Sequence, residues 1–338
     1  MLPAALCKRY ALRYSQKVMP VAGLCAKPLI GVLSYLRMPL PGKPADWLRR
    51  ALFIVESDMT NSAMTDSAMT AAPATEPFVT ATTENGVLWL TLNRPQRRNP
   101  LSTEMIAALS QSIATGNQDP TVKVMVIAGS GPAFSAGHDL AEIQRRADEE
   151  HTAWQARVQQ LLAACAAMMN SIMHSPKAIV ASVQGIASAA GCQLVSACDL
   201  AIASDEATFC TPGVNIGVFC TTPLVGIGRN LSRKHALEMA LTGEQFDAAT
   251  AERFGLINRH VPASSLRTAT SSLAEKIASR SPDSIARGKS TFYRQVEMPL
   301  DEAFALANQV MLDNLTSEGD AQEGIDAFFG KRAPQWGE

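Results

Sequence analysis

Short runs of apolar and β-branched residues recur along the chain, separated by longer stretches with helical periodicity. The runs cover residues 87–92, 122–128, 178–183 and 200–203 and contain only one charged side chain among them. Runs of this length and composition are typical of strands that are buried on both faces of a parallel sheet. Strands that alternate with helices in this way predict an α/β fold.

Helical periodicity fills the stretches between these strands. Ser102 and Thr103 lie where a helix needs an N-terminal cap, directly before apolar positions with helical spacing. Those positions are Met105, Ile106, Leu109 and Ile113. A longer amphipathic stretch, 140–174, precedes the third strand. Its predicted apolar face contains Trp154, Val158, Leu161 and Leu162.

From Arg233 onward the pattern is helical. A first predicted helix contains His235, Ala236, Met239 and Ala240, and further helices are predicted over 247–254, 264–280, 282–296 and 299–315. Short amphipathic helices of this kind pack poorly alone. We therefore expect this region to find partners outside itself.

The first 78 residues differ from the rest. Residues 1–45 contain seven Lys or Arg and no acid, and prolines break their apolar runs, so no membrane span is predicted. A basic, acid-free start is typical of a mitochondrial transit peptide. The alternative is a start codon assigned too far upstream of a disordered tail that is rich in Thr, Ser, Ala and Met. We favour this alternative and a cytoplasmic location.

Composition limits the chemistry further. A chain of 338 residues with 47% hydrophobic content can bury a full core. A net charge of -1 without a basic stripe argues against a nucleic-acid partner. Seven cysteines without a Cys-x-x-Cys spacing indicate buried thiols in a reducing compartment. The five histidines are scattered, so no metal site is predicted.

Two segments of small residues each leave a predicted strand and open a helix. They are 134–140, Phe-Ser-Ala-Gly-His-Asp-Leu, and 183–193, Val-Gln-Gly-Ile-Ala-Ser-Ala-Ala-Gly-Cys-Gln. At such a turn, backbone N–H groups lack a partner within the helix and lie at the positive end of its dipole. Two facing turns can hold one oxygen that gains negative charge, as acyl transfer and enolate chemistry require. A phosphate cradle fits less well, because segments 129–134 and 226–228 lack its glycine spacing.

These two segments resemble the oxyanion-hole segments of the crotonase superfamily, the enoyl-CoA hydratases and isomerases. The resemblance runs from about Val87 to the C-terminus and includes Leu92-Asn93-Arg94-Pro95, Cys198-Asp199-Leu200-Ala201, Gly243-Glu244 and Gly255-Leu256-Ile257. It implies a crotonase-type spiral of ββα turns over 79–265 and a helical trimerisation region over 266–338. Residues 1–78 form a disordered or targeting extension in this division.

The resemblance also implies a substrate and an assembly. The substrate is an acyl-CoA thioester, with coenzyme A as part of the substrate and no separate cofactor. The assembly is a homo-oligomer, either a trimer or a hexamer. In the resemblance the oxyanion donors are the backbone N–H groups of His138 and Ala190. Because both donors belong to the main chain, this pair tolerates side-chain changes that remove other catalytic groups.

The acids and bases of the family have no counterpart here. Its two hydratase glutamates match Gln193 and Gly213, and an acid of some isomerases matches Thr221. A carboxamide can position water but cannot take up a proton at neutral pH, and glycine has no side chain. Because general acid–base catalysis is worth roughly 10²–10⁴ in rate, ordinary hydration should be weak or absent. Glutamate restored at both positions should raise hydration if the site suits water.

His138 leaves alternatives open. In one interpretation its side chain only lines the site while its N–H acts. In another, residues 135–139 resemble methylmalonyl-CoA decarboxylases of the superfamily, and decarboxylation needs an oxyanion hole but no strong base. A third alternative is a non-catalytic acyl-CoA binder. The hypotheses therefore include both a lyase or isomerase and a binding protein.

Coenzyme A carries phosphates, so basic residues should flank the site. The resemblance places Arg94, Arg97 and Arg98 beside the pantetheine and phosphates, and Lys331, followed by Arg332, at the 3′-phosphate. It also counts Ala136, His138, Asp139 and Leu140 among the substrate-binding residues. By its position, Asp139 is a predicted helix cap, and Asp199 is predicted to anchor a turn.

Overall fold

A computed structural model describes residues 76–337, which contain two β-sheets and the helices that cover them. The strands are β1 (Val79–Glu84), β2 (Val87–Leu92), β3 (Val124–Gly129), β4 (Ala133–Ser135), β5 (Ala178–Val183), β6 (Ile186–Ser188), β7 (Leu200–Ser204), β8 (Thr208–Cys210), β9 (Phe246–Asp247) and β10 (Arg259–Val261). The larger sheet has the order β1-β2-β3-β5-β7-β10, and the smaller sheet has the order β4-β6-β8-β9.

A repeating unit connects the two sheets. Strands β3, β5 and β7 of the larger sheet are each followed directly by a strand of the smaller sheet, namely β4, β6 and β8. Neighbouring strands from β2 to β10 in the larger sheet are parallel, whereas β1 is antiparallel to β2 and β9 is antiparallel to β8. The chain therefore climbs as stacked ββα turns, which confirms the predicted α/β spiral.

The helices in chain order are α1 (Thr103–Gln118), α2 (Leu140–Ile143), α3 (His151–Met173), α4 (Ala190–Ala197), α5 (Pro223–Asn230), α6 (Arg233–Thr242), α7 (Ala248–Phe254), α8 (Leu266–Ala278), α9 (Pro282–Gln295), α10 (Leu300–Thr316) and α11 (Asp320–Gly330). The predicted cap of α1 is confirmed, because the Ser102 hydroxyl accepts a hydrogen bond from the Met105 N–H at 3.2 Å. The last helix, α11, was not predicted.

The predicted helix over 140–174 is wrong in its middle, where residues 144–150 form a loop between α2 and α3. Arg157 of α3 holds this loop by a salt bridge to Glu149 at 2.7 Å and by hydrogen bonds to the backbone carbonyls of Glu142 and Gln144 at the end of α2. The buried face of α3 contains Leu161, Cys165, Met168, Met169 and Ile172. Leu162, predicted on that face, is 37% exposed instead.

The C-terminal helices attach to the larger sheet through α8 and α9. Ala274 of α8 packs in a small core with Trp89 of β2 and the neighbouring strands. Lys289 of α9 is buried and forms a 2.7 Å ion pair with Asp199, at the start of β7. The Tyr293 hydroxyl donates to the same carboxylate at 2.9 Å. Asp199 therefore anchors a helix as well as a turn.

Two features are absent from residues 76–337. No helix in this part of the chain is long and apolar enough to cross a bilayer. Within the same range, no group of three or more His, Cys, Asp or Glu side chains is placed to hold a metal ion. The predictions for the N-terminal extension concern residues that lie almost entirely outside the described range.

Candidate active site

The first of the two small-residue turns follows β4. Ser135 is fully buried, and its hydroxyl donates to the Asn99 carbonyl at 2.8 Å and accepts from the Gly137 N–H at 3.3 Å. Gly137 has a φ of +88°, a conformation that favours glycine. The next residue, His138, forms an isolated parallel β-bridge with Leu101. The Leu101 N–H donates to the Gly137 carbonyl at 2.7 Å. The backbone at His138 is therefore held from two sides.

The second turn follows β6 and opens α4. Ala189 has a φ of +49°, which a residue with a Cβ rarely adopts, and its N–H donates to the Cys210 carbonyl at 2.9 Å. Such strained backbone costs on the order of 1–3 kcal/mol and is concentrated at functional sites. The strain fixes the direction in which the next N–H, that of Ala190, leaves the turn.

The two turns are in direct contact. A methyl group placed on Gly137 would lie 2.8 Å from the Ser188 carbonyl oxygen and 3.2 Å from the Ala190 nitrogen. A methyl group on Gly191 would collide with the backbone of Ser135. Only glycine allows this approach, which brings the first turn to the N-terminus of α4.

Two backbone donors are free at this junction. Within residues 76–337, neither the His138 N–H nor the Ala190 N–H donates a hydrogen bond. Ala190 is the first residue of α4, so its N–H has no partner within the helix and carries the positive end of the helix dipole. An anionic or polarised oxygen is the natural acceptor for such groups.

His138 adds a buried acceptor to the same turn. Its Nδ1 lies 3.3 Å from the Leu101 carbonyl oxygen, which can only accept, so Nδ1 carries the proton. Burial lowers the pKa of His138 below its usual value, although the Leu101 carbonyl and the Glu142 carboxylate act in the opposite direction. The ring is therefore neutral at pH 7. Its Nε2 is buried and has no partner among the described residues.

Gln193 supplies a second acceptor of this kind. It lies in the first turn of α4, three residues after Ala190, so both lie on the same face of the helix. The residue is only 7% exposed, and its Oε1 is buried without a hydrogen-bond partner in the described chain. A buried unsatisfied amide costs roughly 1–3 kcal/mol, so this side chain is better explained by binding than by stability.

Gly213 has no space for a side chain. It lies in the short 3-10 turn Pro212–Ile216, and a methyl group placed on it would collide with the Val218 carbonyl and lie 2.8 Å from the Cys220 Sγ. The Val218 N–H donates back to the Gly213 carbonyl at 2.9 Å, which fixes the loop in this position. A glutamate at position 213 would therefore need this loop to shift before its side chain could enter the site.

The loop that follows contains Thr221. Its side chain is exposed, and its hydroxyl donates to the Phe219 carbonyl at 3.1 Å. It is therefore engaged within its own loop.

The predicted basic residues lie in different environments. The Arg94 guanidinium donates to the carbonyls of Glu76 and Pro77 and stacks 3.8 Å from the Phe78 ring centroid, so it holds the start of β1. Lys331 is exposed at the C-terminal end of α11, with a φ of +51°. No described contact links these two residues.

Arg97 and Arg98 differ from each other as well. Arg97 pairs with Asp139 at 3.0 Å, and its side chain is 63% exposed, so it can reach a ligand in solvent. Asp139 also accepts from the Ala141 N–H at 3.1 Å, which confirms the predicted cap. Arg98 lines a surface groove of about 370 Å³ beside the turns that join the two sheets. Leu140, at the start of α2, is 59% exposed.

Two residues that sequence reasoning missed organise these loops. Asn99 is fully buried: it accepts from the Arg94 N–H at 2.8 Å and donates to the carbonyls of Ser130 and Ala133, both at 2.9 Å. Gln184 donates to the Ala133 carbonyl at 2.8 Å. Neither residue belongs to a periodic pattern, so hydrophobic spacing could not find them. The nearest signal was Asn99 itself, an asparagine before proline in a loop.

This arrangement and the wider chain match one family. A sequence model described as enoyl-CoA hydratase/isomerase matches residues 82–338. The chain therefore belongs to the enoyl-CoA hydratase/isomerase family, as the resemblance implied. Among its relatives is the mitochondrial enoyl-CoA hydratase domain-containing protein 3 of Rattus norvegicus, which is 45% identical over 268 residues, or 79% of this chain and 87% of the relative.

Solved structures agree with this assignment. The crystal structure of human enoyl Coenzyme A hydratase domain-containing protein 3 matches with a TM-score of 0.73 and 41% identity, over 77% of this chain and 100% of that chain. An enoyl-CoA hydratase from Mycobacterium smegmatis matches with a TM-score of 0.72 and 42% identity, over 77% and 99% of the two chains.

Proposed function

We propose that this chain binds acyl-CoA thioesters and holds the thioester oxygen between the backbone N–H groups of His138 and Ala190. The observation that carries the proposal is the contact between the two turns, in which position 137 approaches the Ala190 nitrogen so closely that only glycine fits. Both N–H groups lack a partner within the described chain, and two preorganised donors are what a developing oxyanion requires.

Calorimetry tests the binding proposal. Titration of the purified chain with butyryl-CoA, acetyl-CoA and free CoA should give heat for the thioesters and less for free CoA, because free CoA has no thioester oxygen. Absence of binding by all three, also in competition with one another, would refute the proposal. Arg97 is the basic residue best placed to assist, because it is exposed beside Asp139.

Ordinary hydration is not the proposed reaction. Neither Gln193 nor Gly213 can accept a proton from water, and the Cys220 thiol takes the space beside Gly213. Crotonyl-CoA hydration should therefore be absent or several orders of magnitude below that of an ordinary hydratase. Efficient hydration by the purified chain would contradict this part of the proposal.

One second reaction is favoured by a specific observation. The ring of His138 is neutral and the side chain of Gln193 is uncharged, so nothing at either position repels a substrate carboxylate. In a malonyl-type thioester, the bond to the carboxylate would break, CO₂ would leave, and the electron pair would form an enolate at the two N–H groups. A proton would then add to the α-carbon.

Incubation with malonyl-, methylmalonyl- and ethylmalonyl-CoA, followed by mass spectrometry, decides between lyase and binder. Loss of CO₂ from one of these thioesters identifies a decarboxylase. Binding of every thioester without any change in mass identifies a non-catalytic acyl-CoA binder. Both outcomes are consistent with the same proposed binding site for acyl-CoA thioesters.

We also propose a homo-oligomer, a trimer or hexamer, formed through the helices after Arg233. Large apolar side chains of α10 and α11 are exposed in the single chain, among them Leu300, Phe304, Phe328 and Phe329. Exposed apolar surface of this kind marks association sites. Light scattering at micromolar concentration should give a multiple of the chain mass, and a monomer mass would contradict the proposal.

We propose a mitochondrial location, which is based on the names of similar proteins rather than on the composition of this chain. Several similar proteins carry the word mitochondrial in their names, including those of rat and human. This supports the transit-peptide interpretation of the basic, acid-free residues 1–45 over the cytoplasmic one. A fluorescent fusion of the full chain should enter mitochondria, and a fusion that starts at Met69 should remain outside.

A further inference from the structure

Three thiols come together beside the proposed oxyanion site. Cys192 lies in α4, Cys210 ends β8, and Cys220 lies in the loop after the turn that contains Gly213. The Cys210 Sγ lies 3.4 Å from the Ser188 hydroxyl oxygen, in the strand that leads to Ala190. Burial raises the pKa of the Cys192 thiol, and Cys210 and Cys220 are close enough for their charge to raise it further.

Cys220 has a particular place in this cluster. Its Sγ is 2.8 Å from where the first side-chain carbon of residue 213 would be, the position at which the family resemblance expects a catalytic glutamate. Among the three thiols Cys220 is also the most exposed, at 7%, against 0% for Cys192 and 2% for Cys210. A thiol sulfur therefore lies where a side chain at position 213, the position at which the resemblance expects a catalytic glutamate, would begin.

We propose that Cys220 adds reversibly to the β-carbon of α,β-unsaturated acyl-CoA thioesters, so that this chain captures enoyl groups as covalent thioethers. The inference rests on the proposed thioester site. The sulfur forms a bond to the β-carbon, the carbon–carbon double bond becomes single, and the electron pair passes through the α-carbon to the thioester oxygen. The thiol proton ends on the α-carbon, so no oxidant or other reactant is consumed.

The surroundings suit this step better than hydration. The N–H groups of His138 and Ala190 would stabilise the enolate that forms when the sulfur attacks, as they would for any nucleophile. Water needs a positioned base to attack, and positions 193 and 213 provide none. A thiolate needs no such base, because it is itself a strong nucleophile. The same enolate allows the reverse step, which releases the enoyl thioester unchanged.

Burial limits the rate of capture at neutral pH. It raises the pKa of the Cys220 thiol above its usual value, although the nearby Gly213 backbone acts in the opposite direction. The thiolate fraction is therefore small at pH 7. Capture should become roughly tenfold faster for each pH unit, as long as the pH stays below the thiol pKa.

The test compares an enoyl thioester with its saturated analogue. The purified full chain is incubated with crotonyl-CoA or butyryl-CoA, its intact mass is measured, and modified peptides are mapped by tandem mass spectrometry. We expect a mass increase of one crotonyl-CoA, located on Cys220, and no increase with butyryl-CoA. The adduct should disappear in C220S and remain in C165S, because Cys165 is a buried thiol of α3 outside this cluster.

Each of the other possible results overturns either the capture proposal or the thioester site. Binding of butyryl-CoA without a crotonyl adduct on Cys220 overturns the capture proposal and leaves the thioester site standing. An adduct on another cysteine, or an undiminished adduct in C220S, also overturns it. If butyryl-CoA does not bind and no adduct forms, the thioester site itself is refuted. Mapping on the unmodified sequence keeps the test valid even if C220S folds poorly.

Discussion

The thiol of Cys220 occupies the space into which any side chain at Gly213 would have to extend. The contact is short, 2.8 Å to an ideal Cβ, and the Val218 carbonyl closes the same space from another direction. The resemblance expects a glutamate at this position, and in this chain the following loop takes the space where its side chain would begin. A glutamate introduced at 213 would therefore need the loop to move as well.

The first prediction concerns this packing. G213A should destabilise the fold by about 1–3 kcal/mol, the usual cost of overpacking a closed site. G228A is the matched control: Gly228 lies inside α5 with no atom within 4 Å of a new methyl group, so it should be neutral or stabilise by about 0.5–1 kcal/mol. Urea unfolding measures both variants. Equal stability of G213A and the unchanged chain would show that the loop yields easily.

The second prediction concerns the contact between the two turns. G137A should abolish butyryl-CoA binding, because its methyl group would lie 3.2 Å from the Ala190 nitrogen and 2.8 Å from the Ser188 oxygen. Gly217 offers a control with the same kind of backbone, a φ of +77°, but with no atom within 4 Å. G217A should therefore carry the conformational cost of a positive φ, on the order of 1 kcal/mol, and still bind the thioester. Calorimetry that shows equal affinity for both variants would contradict the proposed site.

The third prediction separates function from stability at Gln193. Q193L should bind thioesters more weakly and yet be as stable as the unchanged chain or more stable, because it removes a buried Oε1 without a described partner. Q184L is the comparison. It also removes a buried Oε1 without a described partner, but it loses the hydrogen bonds from Gln184 to the Gly131 and Ala133 carbonyls and should therefore cost about 1–2 kcal/mol. A large loss of stability in Q193L would assign that residue a structural role.

The fourth prediction concerns the ion pair that holds α9 on the sheet. K289M leaves the Asp199 carboxylate buried with only the Ile179 N–H and the Tyr293 hydroxyl, and burial already raises the pKa of Asp199. Removal of one partner of a buried pair costs about 3–5 kcal/mol. The exposed pair of Arg287 and Asp283 is the contrast, and R287A should lower stability far less than K289M, because solvent screens an exposed pair. Similar denaturation midpoints for the two variants would disprove the difference.

The fifth prediction is a pH dependence that comes from His138. Burial lowers its pKa in the folded chain, whereas the unfolded chain keeps an ordinary value near 6.5. The unfolded state therefore takes up a proton first, so the stabilising contribution is complete above 6.5 and declines as the pH falls below it. H138Q should lose less stability than the unchanged chain between about pH 7.5 and about pH 5.5. H174Q, at an exposed position, should behave like the unchanged chain.

Much of the fold could be predicted because burial on both faces leaves a plain signal. Strands β2 and β5 begin and end where their apolar runs do, and α1 begins at its Ser102 cap. The smaller sheet was missed, because its strands are two or three residues long and leave no periodic pattern. The break between α2 and α3 was missed because it depends on hydrogen bonds from Arg157, whose partners are distant in sequence.

Part of the candidate site could likewise be predicted from the sequence, and part could not. The two turns could be found because small residues after a strand and before a helix restrict what the backbone can do, and the absence of carboxylates at 193 and 213 is visible in the letters. The filling of position 213 by Cys220 and the two unpartnered acceptors depend on packing in three dimensions. Arg94 shows another limit, because the hydrogen bonds by which its side chain holds the start of β1 could not be predicted from the sequence.

The Asn99 side chain links the loop that contains Arg94 and Arg97 to the segment that leads into the first small-residue turn. Its side chain joins the Arg94 N–H to carbonyls in the turn between β3 and β4, and the Arg98 carbonyl accepts from the Ala136 N–H at 2.9 Å. Segments cross-linked in this way open together, so their amide hydrogens should exchange with solvent as one cooperative unit. A ligand that orders the loop around Arg97 should therefore also slow the opening of the backbone at His138.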